Sequence, residues 1–209
     1  KLLAVSGDGD WEKFCAQSKH VGHTKKLSDA LESFQKDVEA ASKLARKLIL
    51  QIQKNRGSEL AKKFSEELER AFEGVPFEAE ADSLYELDQE EFYVRPTNYS
   101  LMKGEAVRPF KIVLLDDHKL TIEMPVLVFA EAEATFGLTI PINDVDGRDS
   151  LGMGSATIER KTDLEPTFVM EFSGENLSKG EVDELELTMV GWPSSIDFGN
   201  IDRDISSDE

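Results

Sequence analysis

Two aspartates one residue apart, Asp8 and Asp10, are the first candidates for chemistry in this 209-residue chain. They follow the short apolar run Leu2-Leu3-Ala4-Val5 and the pair Ser6-Gly7, and they precede Trp11, Phe14 and Cys15 at helical spacing. An apolar run that stops at Ser-Gly has the character of a buried parallel strand reaching the edge of its sheet. Strand, acidic turn, helix is the order that puts ligand-binding side chains at the carboxyl ends of strands in an open α/β sheet. The same letters also make an ordinary turn, because Gly supplies positive φ and Asp bonds its own backbone.

The other candidates are weaker. His20 and His23 stand three apart around Val21-Gly22, but a zinc site takes three or four ligands and this segment reads as a short strand. The loop 143–150 holds three aspartates and a glycine. A calcium-binding EF-hand would need an acid where Ile142 stands and a bidentate Glu where Met153 stands, so the loop reads as an acidic interstrand turn. Residues 150–155, with Gly152 and Gly154, follow no strand-to-helix crossover and do not make a phosphate loop. His118 falls in a turn beside two acids and reads as a surface residue. Cys15 lies on the side of Trp11 and Phe14, as core rather than nucleophile. A single cysteine forms no internal disulfide, which suits a reducing, cytoplasmic setting.

The stretch Val5-Ser6-Gly7-Asp8-Gly9-Asp10-Trp11 resembles the last catalytic segment of a PIN-like domain, the metal-dependent ribonuclease fold. That segment runs apolar strand, Ser or Thr, any residue, Asp, and often a second Asp before an aromatic. A helix and a final short strand follow, roles that residues 12–18 and 20–26 can fill. The resemblance covers about residues 1–35. It implies that Asp8 is a catalytic metal ligand and that Asp10 is a second ligand or an acid supporting it. It also implies Mg²⁺ or Mn²⁺ as cofactor and RNA as substrate, with the metal orienting and activating water for phosphodiester attack. Mg²⁺ demands near-octahedral oxygen coordination, so one or two acids would hold it poorly. The family's other acids come from earlier strands and helices. The expectation is therefore the C-terminal piece of a longer endoribonuclease, inactive by itself.

Charge divides the chain. Residues 1–74 carry 14 Lys and Arg against 12 Asp and Glu, whereas residues 75–209 carry 10 against 30. Phosphate backbones are bound by Lys and Arg that displace counterions, so RNA contact belongs to the first part or to a region before it. The acidity of the second part reads most simply as solubility. No stretch approaches the ~20 apolar residues of a membrane span, and residues 1–5 are too short an apolar run, too soon followed by charges, to be expected to act as a signal peptide.

The elements that must hold these residues follow from periodicity. Leu27, Leu31, Phe34, Val38, Ala41, Ala45, Leu48 and Ile52 alternate steps of four and three, an a/d seam for one long helix. Ser58 caps a second helix with Leu60, Phe64, Leu68 and Phe72 on one stripe, ending at Gly74. A short connection predicts an antiparallel helical hairpin over residues 27–74, its seam buried within the chain or shared in a dimer. The basic residues Lys43, Arg46, Lys47, Lys54, Arg56, Lys62 and Lys63 read as a solvated face.

From residue 77 the period becomes two. Short strands are predicted at 77–81, 91–95, 110–115, 120–124, 156–160, 167–172 and 184–190, and a long one at 126–140 with a bend at Gly137. Pro125 is expected to begin that strand or to lie on an edge. Asp116-Asp117-His118-Lys119 reads as a hairpin turn. Residues 192–209 read as an acidic, frayed tail.

The predicted class is α+β. Its parts are a remnant of an α/β PIN-like sheet (1–26), a helical hairpin (27–74), and an antiparallel β-sandwich or curved sheet (77–191). Function divides between two classes. One is the nuclease fragment. The other is an acidic protein-interaction or oligomerisation module without catalysis, binding a protein partner or forming a homodimer through the hairpin or β-domain.

Overall fold

The computed structural model of the chain describes residues 2–7, 9–18, 21–116, 118–144 and 147–202; the side chains of residues 2, 3, 29–36, 142–144 and 147–149 are not among those described. Two compact units divide at residues 47 and 48. The chain is α+β, with mostly antiparallel open sheets. Among the described residues no helix is long and apolar enough to cross a membrane.

In the first unit, β1 (Leu2–Val5) and β2 (Val21–Thr24) pair in parallel, Leu2 opposite Val21 through Val5 opposite Thr24. A tight turn cannot join parallel strands, and α1 (Gly9–Gln17) makes the crossover. Asp10 and Glu12 in its first turn favour the positive end of the helix dipole. Cys15 is buried, as expected, although Trp11 and Phe14, read on the same apolar side, are not. Trp11 and Phe14 meet edge to face at 5.8 Å and are both exposed.

Helix α2 (Leu27–Lys54) runs through the division between the units. Ala41, Ala45, Leu48 and Ile52 of the predicted seam are buried, and Ile49 joins them. Leu27 is exposed and Val38 is 57% exposed, while the side chains of Leu31 and Phe34 lie outside the described residues. The expected burial of Val38 is thus corrected. The buried stripe begins at Ala41 and widens to Ile49, which is a broad core-facing stripe rather than a narrow coiled-coil seam.

In the second unit, the Ser58 hydroxyl accepts from the Ala61 amide at 3.2 Å and caps α3 (Glu59–Phe72). Leu60, Ala61, Phe64, Leu68 and Phe72 are buried along one face. The strands follow as β3 (Glu78–Asp82), β4 (Glu86–Ser100), β5 (Met102–Lys103), β6 (Ala106–Val107), β7 (Lys111–Leu115), β8 (Lys119–Pro125), β9 (Leu127–Asp144), β10 (Gly147–Leu164), β11 (Thr167–Ser173), β12 (Glu184–Gly191) and β13 (Ser195–Asn200). One antiparallel sheet has the order β10-β9-β4 and another β12-β11-β8-β7; β5 pairs with β6, and β13 with β3. Helix α3 lies against β12, and its Phe64 ring is 4.4 Å from Tyr99 of β4. The Arg56 guanidinium covers the Tyr99 ring at 3.7 Å.

The two larger sheets are parts of one ribbon. β8 and β9 form one arm, β10 and β11 the other, and the Val126 amide donates to the Pro166 carbonyl at 2.9 Å where the sheets meet. Pro125 closes β8 instead of opening the long strand.

Several strands exceed their expected length. Residues 91–95 belong to the 15-residue β4, and residues 156–160 lie within the 18-residue β10. Residues 150–155 are part of β10, with a bulge between Gly152 and Gly154 and φ of 102° at Gly154. β9 continues through Gly137. The irregularity lies across from it, in a register shift between Gln89 and Glu91 of β4. A Cβ at Gly137 would meet the Glu90 carboxylate at 2.9 Å, so glycine leaves room for that bulged side chain.

The reading of residues 192–209 as a frayed tail is corrected. β13 pairs in parallel with β3, Ser195 opposite Glu78, and Ile196, Phe198 and Ile201 are buried. Residues 203–209 lie outside the described residues. Ala130, Ala132 and Ala134 make the inner face of β9 shallow, and all three are buried. Over that face the aromatics form a chain. Phe72 stacks on Phe77 at 6.0 Å, Phe77 meets Phe92 at 6.5 Å, and Phe198 touches both Phe92 at 6.0 Å and Phe136 at 5.8 Å.

Just past β13, Asp202 clamps the turn between β3 and β4. The Ser83 hydroxyl donates to its carboxylate at 2.6 Å and the Leu84 amide at 3.0 Å. The Ser83 bond, then the Leu84 bond, holds the Asp202 carboxyl below its ordinary range. A carboxylate depressed in the folded state adds stability above its unfolded value, about 3.9, and loses it as pH falls through the folded value. Asp202→Asn should therefore flatten the decline in unfolding midpoint below about pH 4 relative to the parent chain. Urea titrations at several acid pH values read this directly, and parallel declines in the two proteins would remove Asp202 as a contributor.

Candidate functional site

The acidic turn follows β1, whose end is tied twice to β2. The Ser6 amide donates to the Thr24 carbonyl at 3.1 Å, and His23 Nε2 donates to the Ser6 carbonyl at 2.8 Å. His23 thus braces the strand pair. His20, the other histidine of the pair read from the sequence, lies outside the described residues.

Asp8 also lies outside the described residues. Asp10 stands in the first turn of α1 with its side chain 89% exposed and an ion pair to Lys13 at 3.6 Å. Glu12 pairs with Lys25 at 2.8 Å, and this hydrogen bond and charge hold its carboxyl below the usual range. Among the described residues the charge around the turn is mixed and paired, which selects neither a basic RNA cleft nor an acidic docking face. Carboxylates are the right donors for Mg²⁺ or Mn²⁺. Among the described residues, however, no three His, Cys, Asp or Glu side chains come together as a metal site.

The loop after β9 is the tip of the ribbon. Asp144 pairs with Gly147 and Ile142 with Asp149, an interstrand turn, while Val145 and Asp146 lie outside the described residues. The His118 side chain is exposed; its amide donates to Asp116 Oδ1 at 2.8 Å in the β7–β8 turn.

Two clefts escaped the sequence reading. One, of about 550 Å³, is lined by Glu80, Asp82, Leu87, Gln89, Phe136 and Asp197. Its acids came from two strands, one of which had been read as a tail. The other, of about 520 Å³, lies on the outer face of the three-stranded sheet beside Tyr93, Arg95, Glu131, Glu133, Glu159 and Lys161. Arg95 meets Glu131 at 2.7 Å, and Lys161 approaches Glu131 at 4.0 Å. The Arg95 hydrogen bond holds the Glu131 carboxyl below its usual range. The alternation of these residues with buried alanines was the available signal. Opposite charges across strands also stabilise the sheet itself.

Comparison with protein-family models, curated proteins and solved structures finds no match to this chain.

Proposed function

We propose that residues 1–26 are the closing segment of a PIN-like, metal-dependent endoribonuclease, with Asp8 as a metal ligand and Asp10 as a second or supporting acid. The observation that carries this reading is the parallel β1–α1–β2 unit, whose acidic turn follows the carboxyl end of β1. A two-stranded parallel sheet is normally part of a larger, covered layer. Exposed Val5, Trp11 and Phe14 are surface that such a layer would cover. When bound, Mg²⁺ or Mn²⁺ would activate water and neutralise developing charge on the phosphate. The chain's own contribution is to hold one or two acids at the end of β1. The finer architecture belongs to the same proposal: a PIN-like remnant, then a helical hairpin and a β-sandwich.

The test compares the 209-residue chain with a form extended by its upstream residues on a labelled single-stranded RNA, with Mg²⁺, Mn²⁺ or EDTA. The shorter chain should leave RNA intact and the extended form should cut it in a metal-dependent way. Cleavage by neither would reject the nuclease reading. The excess of acids in residues 75–209 then favours the second reading, a protein-interaction module.

A further inference from the structure

We propose that the outer edge of β7 pairs with the same edge of a second copy of this chain. β7 is the last strand of the four-stranded sheet, with no strand beyond it among the described residues. After Lys111 its side chains are apolar, and Val113, Leu114 and Leu115 are 54%, 44% and 38% exposed. Soluble proteins blunt such edges with charge, proline or cover, because unpaired strand edges recruit other strands.

The register of β7 makes the edge complementary to itself. Lys111 and Ile112 pair with Glu123 and Ile122, whereas Leu114 and Leu115 pair with Thr121 and Leu120. Val113 is the extra residue, a β-bulge. In a regular strand Ile112 and Leu115 would point to opposite faces. The bulge turns both toward the core side, where Ile122 and Leu120 are fully buried. Consider an antiparallel twofold axis between Val113 and Leu114. It sets Ile112 opposite Leu115 of the second copy on that face. On the other face it sets Lys111 opposite Asp116 of the second copy, and the axis makes each pairing twice. Asp116 is fixed for this role by the β7–β8 turn, its carboxylate accepting from the His118 amide. Lys111 would then lie between Glu123 of its own sheet and Asp116 of the second copy. A bulge commonly spoils an edge for pairing; here it brings the apolar and charged residues of two identical edges into matching rows. A foreign strand would need that same complement, and the chain already carries it.

This proposal is independent of the nuclease reading, and its test is oligomeric state. Light scattering after size exclusion, with the full chain across the micromolar range, should approach twice the 23.4 kDa chain mass. Lys111→Glu places like charges in both symmetric pairs and should weaken the dimer at least about tenfold. Asp116→Lys should do the same, and the double variant Lys111→Glu with Asp116→Lys should restore dimerisation. Val113→Lys, placed at the bulge away from both charges, should also leave a monomer. Circular dichroism checks that each variant is folded. A monomer at every concentration, a dimer insensitive to these changes, or a folded double variant that stays monomeric would each overturn the proposal.

Discussion

Phe198→Ala should cost about 3–5 kcal/mol of stability, the usual range for removing a buried aromatic ring. Phe198 is 1% exposed and sits between Phe92 of β4 and Phe136 of β9. The backbone around it is fixed from both sides. Arg160 Nε donates to the Phe198 carbonyl at 3.2 Å, and β13 pairs with β3. Neighbouring rings therefore cannot readily collapse into the space, and the cavity term adds to the lost transfer energy. Urea unfolding followed by tryptophan fluorescence should show the midpoint falling. A change below about 1 kcal/mol, the level of a peripheral substitution, would mean that β13 contributes little to the core.

Asp8→Asn in the N-terminally extended protein should lower RNA cleavage roughly a hundred- to ten-thousand-fold. The exchange keeps the shape of the side chain and removes one ligand charge. Metal charge stabilisation is worth several kcal/mol, and each step of about 1.36 kcal/mol changes a rate tenfold. Asp10→Asn should cost less, because that carboxylate is exposed and already paired with Lys13. Both variants should unfold at the parent's midpoint, which separates lost chemistry from lost structure. If Asp8→Asn cleaves at the parent rate, the acidic stretch is only a turn between strand and helix.

Much of this fold was readable from the residues. The helix over 59–72 announced itself by Ser58 and the stripe Leu60, Phe64, Leu68 and Phe72, because a cap and a four-residue spacing are local features. The β7–β8 hairpin was equally local. Strand length was not, because pairing in the three-stranded sheet is decided by neighbours distant in sequence. The strands predicted at 156–160 and 91–95 run on through Gly152 and Gly154 and through Pro96 into 18- and 15-residue strands, accommodated in part by register shifts. β13 was hidden for another reason: Ile196 and Phe198 alternate with Ser195, Asp197 and Gly199, a pattern too short to stand out in a polar terminus. For the candidate site, the strand–helix–strand order was legible from residues 2–24. The charge balance around Asp10 was not, since it depends on Lys25 returning from beyond β2 to Glu12.

The ribbon that joins the two sheets also sets an order of assembly. Its paired residues are separated by three positions at the tip, Asp144 with Gly147, and by 54 at its base, Lys119 with Ser173. Each added rung closes only a slightly longer loop, and that cost grows slowly with length. The β3–β13 pairing instead joins Glu78 to Ser195 across the whole ribbon. It has no local nucleus and should form after the ribbon has zipped. Refolding rates should therefore respond to substitutions at Ala134 or Ile158, within the ribbon. Substitutions at Ile196 should mainly speed unfolding, so the last strand to dock would be the first to leave.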